Sequence, residues 1–212
     1  MRVTAETKTS TRQRIIEVAT RLFVAEGWDD TTTRGIAAAA GIAAGTLFNY
    51  FDSKEAVVAE LLSDALAKAQ RELRSRKGKA GSLEEELFAL IWTELRSLRP
   101  FRKFLPAAAE TIFSPLRRMP EDKVGDSIRD RHLDAVGQII ADHGVPDPLP
   151  AITMHLYWTL YLGVFAHWAA DESPHQEDTL ALLDQSLRLF IASLPRRTPG
   201  TKGKAARKRG KS

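Results

Sequence analysis

Residues 31–58 read TTTRGIAAAAGIAAGTLFNYFDSKEAVV, and the parsing of this stretch decides the fold. Apolar residues recur at three- and four-residue spacing, the period of a helix buried along one face, and no alternation of β-branched residues runs through it. A short helix is predicted after Thr32, running to about Ala40, and a second over about Ala44–Tyr50. Gly41 lies between them, where a β-carbon would hinder a tight turn. Ile36, Ala37, Ala40, Ile42 and Leu47 are small or apolar enough to form the contact between two helices that cross steeply. Outside that contact sit Thr33, Arg34, Thr46 and Asn49, all able to donate to phosphates or base edges. Two short helices joined by a glycine turn, with a longer helix before them, form a helix-turn-helix whose second short helix enters the major groove of duplex DNA.

Working outward, the preceding helix is expected to start after Ser10, with Gln13 completing a capping box. Ile15, Ala19, Leu22 and Phe23 fall on one face, and Gly27 ends the helix. On the other side, Asp52 and Glu55 read as a second capping box opening a long helix from Ser53 to about Arg76. KGKAG at 77–81 breaks the pattern, and Ser82 to about Leu98 is amphipathic through Leu83, Leu87, Leu90 and Ile91. Pro100, Pro106, Pro115 and Pro120 divide the following residues into short pieces. Helices are expected over Lys123–His143 and Ala151–Ala170, with HGVPDPLP at 143–150 as the turn between them. Ser173-Pro174-His175-Gln176 reads as a third helix start. It is followed by Leu180, Leu183, Leu187, Phe190 and Leu194 in a heptad-like seam. The fold class is therefore all-α. A helix-turn-helix domain is expected over residues 10–52, a second helical domain over 53–195, and a basic tail with the composition of disorder over 196–212.

The segment GTLFNYFDSKE at 45–55 is the most specific part of the chain. It resembles the DNA-binding signature of the tetracycline-repressor (TetR) type of transcriptional regulator, and the resemblance covers about Thr11–Leu62. It implies that Thr33 and Arg34 meet phosphate or a base edge, that Thr46, Phe48 and Asn49 face the groove, and that Tyr50 and Lys54 hold the phosphate backbone. Lys54 also stands beside a helix N-terminus, which favours an anion. Three positions depart from the family pattern. The family commonly has Ser at the position of Ala43, Lys or Arg at that of Ala44, and Tyr at that of Phe48. Ala43 forgoes a helix cap of about 1 kcal/mol. Ala44 and Phe48 each remove a phosphate contact from the interface, which lowers affinity at physiological salt. Phe51 reads as a core aromatic, whereas Tyr50 fits either the core or the backbone contact.

Composition narrows the remaining classes. The 212 residues are 43 % hydrophobic and 27 % charged, enough for two small domains with real cores. The absence of cysteine excludes disulfides and thiolate metal sites and suits a reducing cytoplasm. MRVTAETKTSTRQR lacks the apolar core of a secretory signal, so a cytoplasmic location is expected. Arg196, Arg197, Lys202, Lys204, Arg207, Lys208, Arg209 and Lys211 supply eight charges to the tail, and removing them from the overall +4 leaves −4 on residues 1–195. Global basicity therefore carries little weight. Residues 151–170 contain no acid, Lys or Arg, but Thr153, His155, Thr159 and His167 interrupt the run, and its aromatics form no interfacial belts. A buried helix is expected there, and no membrane partner.

No phosphate loop or nucleophile motif appears, so no catalytic residue, metal or cofactor is expected. The acids and histidine of 171–178 read as a helix start, Asp142-His143 as a helix end, and His155 and His167 are not placed to share a metal. The expected partners are double-stranded operator DNA and a second copy of the chain through helices 151–170 and 180–194, and the TetR resemblance implies a small apolar effector bound within a helical effector-binding and dimerisation domain over 53–195. Gly163 would permit close backbone approach in the dimer. Trp92, Phe104, Tyr157 and Tyr161 are the candidate pocket residues, because Trp and Tyr join apolar surface to a polar handle. An activator on the same fold, and an architectural DNA-binding protein acting through Arg207-Lys208-Arg209, stay open.

Overall fold

The computed structural model describes residues 5–75, 81–112, 123–145 and 148–195. Among these the chain is all-α, in the order α1 (Ala5–Glu26), α2 (Thr33–Ala39), α3 (Ala44–Leu47), α4 (Lys54–Ser75), α5 (Leu83–Leu98), α6 (Leu105–Ile112), α7 (Lys123–Asp142), α8 (Ala151–Ala170) and α9 (Glu177–Ser193). Single 3₁₀ turns at Arg99–Phe101 and Pro174–Gln176 join α5 to α6 and lead into α9. The basic tail, most of the KGKAG break and part of the 143–150 turn lie outside the described residues.

Ile15, Ala19 and Phe23 recur every four residues on α1 and are fully buried against Ile36 and Ala37 of α2, Leu47 of α3 and Phe51. α4 buries Val57 and Val58 near its start and Leu62, Leu66 and Ala69 further along. It packs on α1 at one end and on α5 and α7 beyond it, so one helix joins the two halves of the molecule. The second half closes around α5, α7, α8 and α9, with Leu87, Leu90, Ile91, Leu95, Val136, Trp168, Leu187 and Phe190 at its centre.

α8 carries no Asp, Glu, Lys or Arg along its twenty residues, although His155, Thr159 and His167 are exposed. Tyr157, Trp158, Tyr161, Val164, Phe165 and Trp168 point inward, while Ile152 and Leu156 on the other side are 73 % and 42 % exposed. α9 likewise exposes Leu182 and Leu189. No described helix is long and apolar enough to cross a membrane. Arg102 donates to the carbonyls of Ala169 and Asp171 and lies over the Trp168 ring, satisfying acceptors that the end of α8 leaves free.

The helix starts correct several sequence readings. α1 begins at Ala5, so Ser10 sits inside the helix and forms no cap, and Gln13 instead donates to Glu17. Nothing between Ala5 and Ser10 breaks a helix, and Glu6 in the first turn favours the N-terminal dipole. α3 stops at Leu47, three residues short of the expected end, and continues as turns through Asn49 N–H to Thr46 C=O and Tyr50 N–H to Leu47 C=O. α4 is capped by Ser53, whose hydroxyl accepts from Ala56 N–H at 3.2 Å, in place of the expected Asp52–Glu55 box. A capping box does form at α5, where Ser82 and Glu85 exchange bonds of 3.2 and 2.7 Å. His143 reaches sideways to Glu86 at 3.3 Å and does not cap α7 with its ring.

The start of α9 is built by a residue outside the expected motif. His175 and Gln176 both have positive φ, which precludes a simple Ser173–Gln176 box. Ser173 takes Asp178 N–H on its hydroxyl at 3.1 Å, and Asp171 supplies the other acceptors: one carboxylate oxygen takes Ser173 N–H at 2.8 Å, and the other takes Thr179 N–H at 3.0 Å and the Thr179 hydroxyl. These bonds from Ser173 and Thr179 hold the Asp171 carboxyl well below the usual carboxylate range. A depressed folded pKa contributes stability above the unfolded value, about 3.9, and that contribution is lost as pH falls through the folded one. Asp171→Asn is therefore expected to lower the thermal midpoint at pH 7, with the gap to wild type closing below about pH 4. Thermal melts of both proteins at pH 7 and pH 3 check this, and a gap independent of pH would contradict it.

Candidate nucleic-acid interface

The helix-turn-helix is held from its buried side. Ile36, Ala37 and Leu47 have no exposed surface, and Ala40 has almost none. Thr32 caps α2 by accepting Gly35 N–H at 3.1 Å. Gly41 turns the chain with a φ of +67°, in the left-handed region that favours glycine, and Ile42 N–H closes the turn on Ala37 C=O at 3.0 Å. Ala43 begins α3 without a side-chain cap, as its lack of a hydroxyl requires.

With Leu47 anchored inward, the opposite side of α3 faces outward. Ala44, Gly45, Phe48 and Asn49 are exposed and Thr46 is half-buried. On α2, Arg34 is exposed and Thr33 half-buried. Tyr50 is half-buried and packs on the core, and Phe51 lies within the core. The structure thus brings Thr33, Arg34, Ala44, Thr46, Phe48 and Asn49 to one end of the molecule, on α2, α3 and the turn that follows α3. Arg34 is the only charged residue of α2 and α3.

Two cations brace this unit. Arg12 donates to Tyr50 C=O at 2.9 Å, pairs with Glu60 at 3.1 Å and lies 4.3 Å from the centre of the Phe51 ring. Lys54 Nζ donates to Trp28 C=O at 2.7 Å and to Thr31 C=O at 3.3 Å, and sits 4.3 Å from the centre of the Trp28 ring. Two of the three N–H bonds of the ammonium are thereby committed within the chain, leaving one for a phosphate. Lys54 thus fixes the loop before α2 to the start of α4, a role that its motif position did not disclose. Trp28 also packs on Phe23, and Phe23 on Phe104, with ring centres 5.2 and 5.1 Å apart.

The four pocket candidates do not come together. Phe104 belongs to the aromatic stack against α1, and Trp92 is half-buried at the edge of the core. A small cavity of about 20 Å³, room for roughly one water, lies among Leu62 and Leu66 of α4, Leu98 of α5, His132 of α7, and Tyr161 and Phe165 of α8. Tyr161 lines this cavity, while Tyr157 stands behind it with its hydroxyl 2.9 Å from His132 Nε2. His132 Nδ1 lies 2.8 Å from Glu94, whose other oxygen accepts from Gln70 at 3.0 Å. Glu94, His132 and Tyr157 are all essentially without exposed surface. Burial, and then the Glu94 carboxylate, pushes both tyrosine phenols up, so they remain protonated donors. Glu94 and His132 were missed in the sequence. The available signal was a charge on the apolar stripe of α5, four residues after Leu90 and three after Ile91. Among the described residues no group of His and acids is placed to hold a metal.

Comparison with known proteins agrees with this arrangement. Residues 15–61 match the family described as bacterial regulatory proteins, tetR family. The HTH-type transcriptional repressor KstR2 of Rhodococcus jostii is 46 % identical over 55 residues, 26 % of this chain and 27 % of that protein. The chain thus spans only about a quarter of that relative's length. The Mycobacterium tuberculosis protein MftR is 28 % identical over 78 % of this chain and 83 % of its own. The crystal structure of Thermus thermophilus FadR, a TetR-family transcriptional repressor in complex with lauroyl-CoA, superimposes with a TM-score of 0.67. Its sequence identity is 25 %, over 91 % of this chain and all of that one. The matched helix-turn-helix and the helical order that follows it make this chain similar to the tetR family of bacterial regulatory proteins, with the family match itself confined to residues 15–61.

Proposed function

We propose that the chain is a transcriptional repressor that binds operator DNA as a homodimer and is released by an apolar small molecule. The observation that carries the reading is α3 itself, a helix anchored by Leu47 with Thr46, Phe48 and Asn49 turned outward, within the matched segment. Its exposed side is uncharged, and at Ala44 and Gly45 it is small enough for the backbone to approach base edges closely. Thr33, Arg34, Tyr50 and Lys54 then supply the contacts around it, with Ala44 at the closest approach.

The dimer is supported by the exposed apolar residues of α8 and α9. Ile152, Leu156, Thr159, Gly163 and Ala166 on α8, and Leu182 and Leu189 on α9, are exposed and uncharged. A Cβ at Gly163 would meet nothing within the chain, so whatever close approach this glycine permits is to a partner. Two such helices from each subunit make a four-helix interface.

The effector reading rests on the cavity beneath α4. Leu62 and Leu66, on the helix that opens at Lys54, form part of its wall. A ligand larger than a water has to displace these side chains, and a rigid helix carries that displacement toward α1 and the helix-turn-helix. The wall is apolar apart from His132 and Tyr161, which fits a long hydrocarbon with one polar group. The bound lauroyl-CoA of the Thermus protein supports an acyl thioester as the first compound to try.

The test is a footprint of the full chain on the DNA upstream of its own gene, repeated with a series of acyl thioesters and other apolar compounds. A protected near-palindrome that is lost on adding one of them is expected. Tight binding that no such compound changes would contradict the release mechanism. Deleting residues 196–212 is expected to weaken binding without moving the footprint. Loss of all binding on that deletion would favour a tail-driven, nonspecific DNA-binding protein.

A further inference from the structure

We propose that Phe48 is a specificity residue that reads thymine, its ring covering the C5-methyl group of one thymine in each operator half-site. This rests on the reading of α3 as the recognition helix. Phe48 is 50 % exposed and lies outside the packed core, although a phenyl ring gains by burial wherever an apolar partner exists. Leu47 beside it fills the inward position completely, so the ring cannot be drawn into the domain without displacing that anchor.

What the ring can cover follows from the chemistry around it. α3 has neither acidic nor basic residues, and Ala44, Gly45 and Asn49 next to the ring are exposed, small or neutral. The surface that docks there is therefore not selected by charge. In the major groove every base edge presents polar donors or acceptors, with one exception, the thymine methyl. Phosphates and the other base edges would have to give up water to a ring that offers no hydrogen bond. Only the methyl gains. The small side chains of Ala44 and Gly45 let the helix sit deep enough for the ring to reach it, and Asn49 alongside can pair with an adenine edge. Phe48 thereby replaces a backbone contact with a base-reading one, which offsets in selectivity part of what the interface lacks in charge.

Uracil is thymine without that methyl, so the contact can be removed from the DNA alone. Each thymine of the footprinted operator is replaced by uracil, in symmetric pairs, and affinity is measured by fluorescence anisotropy for the wild-type chain and for Phe48→Ala. One symmetric pair is expected to weaken wild-type binding about fourfold per half-site, about 15-fold in total, the value of one buried methyl taken twice. Phe48→Ala is expected to bind the thymine and uracil operators equally, near the wild-type affinity for the uracil form. Selective wild-type binding that ignores every methyl, or a Phe48→Ala protein that keeps the discrimination, overturns the role of Phe48 and leaves the recognition helix standing. A wild-type chain that shows no sequence-selective binding overturns both.

Discussion

Changing Asn49 to Asp is expected to weaken operator binding at least about a hundredfold while leaving the fold intact. A hydrogen-bonding pair to a base edge is worth about 1–3 kcal/mol, and a symmetric dimer loses it twice. The substitution also places an anion against the phosphate field in both half-sites, which cations elsewhere in α2 and α3 cannot offset beyond Arg34. Asn49 is exposed, and of its polar groups only the backbone N–H is engaged, with Thr46 C=O. The change should therefore leave the circular dichroism spectrum and melting temperature where they were. Anisotropy titration beside a thermal melt checks this, and a loss below about tenfold with an intact fold would remove Asn49 from the interface.

The largest effect on stability is expected at Glu94. Replacing it by Ala leaves the Gln70 amide without its acceptor and removes the carboxylate 2.8 Å from His132 Nδ1, in a region closed to water. Breaking a buried pair from one side costs about 3–5 kcal/mol, enough to lower the melting temperature by roughly 10 °C in a domain of this size. Equal protein concentrations are needed, because dimerisation would feed into the midpoint. Urea titration gives the number directly. A cost below about 1 kcal/mol would mean that water reaches the pair. Replacing Glu94 and His132 together by Leu should recover part of the loss, since neither group of the pair is then left facing an empty place, while the Gln70 amide and the Tyr157 hydroxyl still lose their partners.

The network around Glu94 also marks what the sequence could and could not disclose. α8 is found where its apolar run begins and ends, at Ala151 and Ala170, because a break signal bounds each side. The glycine turn at 41 and the buried set Ile36, Ala37 and Leu47 were legible for the same reason, since each is a local demand of two crossing helices. Caps were less so. Ser10, Asp52 and Ser173 each satisfy a short capping pattern, yet the acceptor used at α4 is Ser53, and at α9 Ser173 takes only Asp178 N–H while Asp171, eight residues before Thr179, takes Thr179 N–H. Several acceptors compete within a few residues of a helix start, and backbone geometry decides between them.

Long-range polar pairing was out of reach. Glu94 is tolerable on an apolar stripe only because Gln70 and His132 arrive from α4 and α7. The pocket candidates were legible only in their chemistry. Trp92, Phe104, Tyr157 and Tyr161 share a chemical character, but only Tyr161 faces the cavity, and Phe104 serves the stack with Phe23 that ties the two halves together. Lys54 was legible as a motif position, while its bonds to the carbonyls of Trp28 and Thr31 depend on how α1 and α4 meet.

The chain has no cysteine, so one introduced at an exposed site can be labelled alone. The most direct measurement attaches an iron–EDTA chelate to Ala44→Cys, at the exposed N-terminus of α3, and maps where it cuts bound operator DNA. Two symmetric clusters of cleavage about 10–10.5 base pairs apart, or a multiple of that spacing, are expected from a pair of recognition helices in successive major grooves. A chelate that leaves the protected DNA uncut, or cuts it without two-fold symmetry, would contradict the placement of α3 in the groove and the dimer with it.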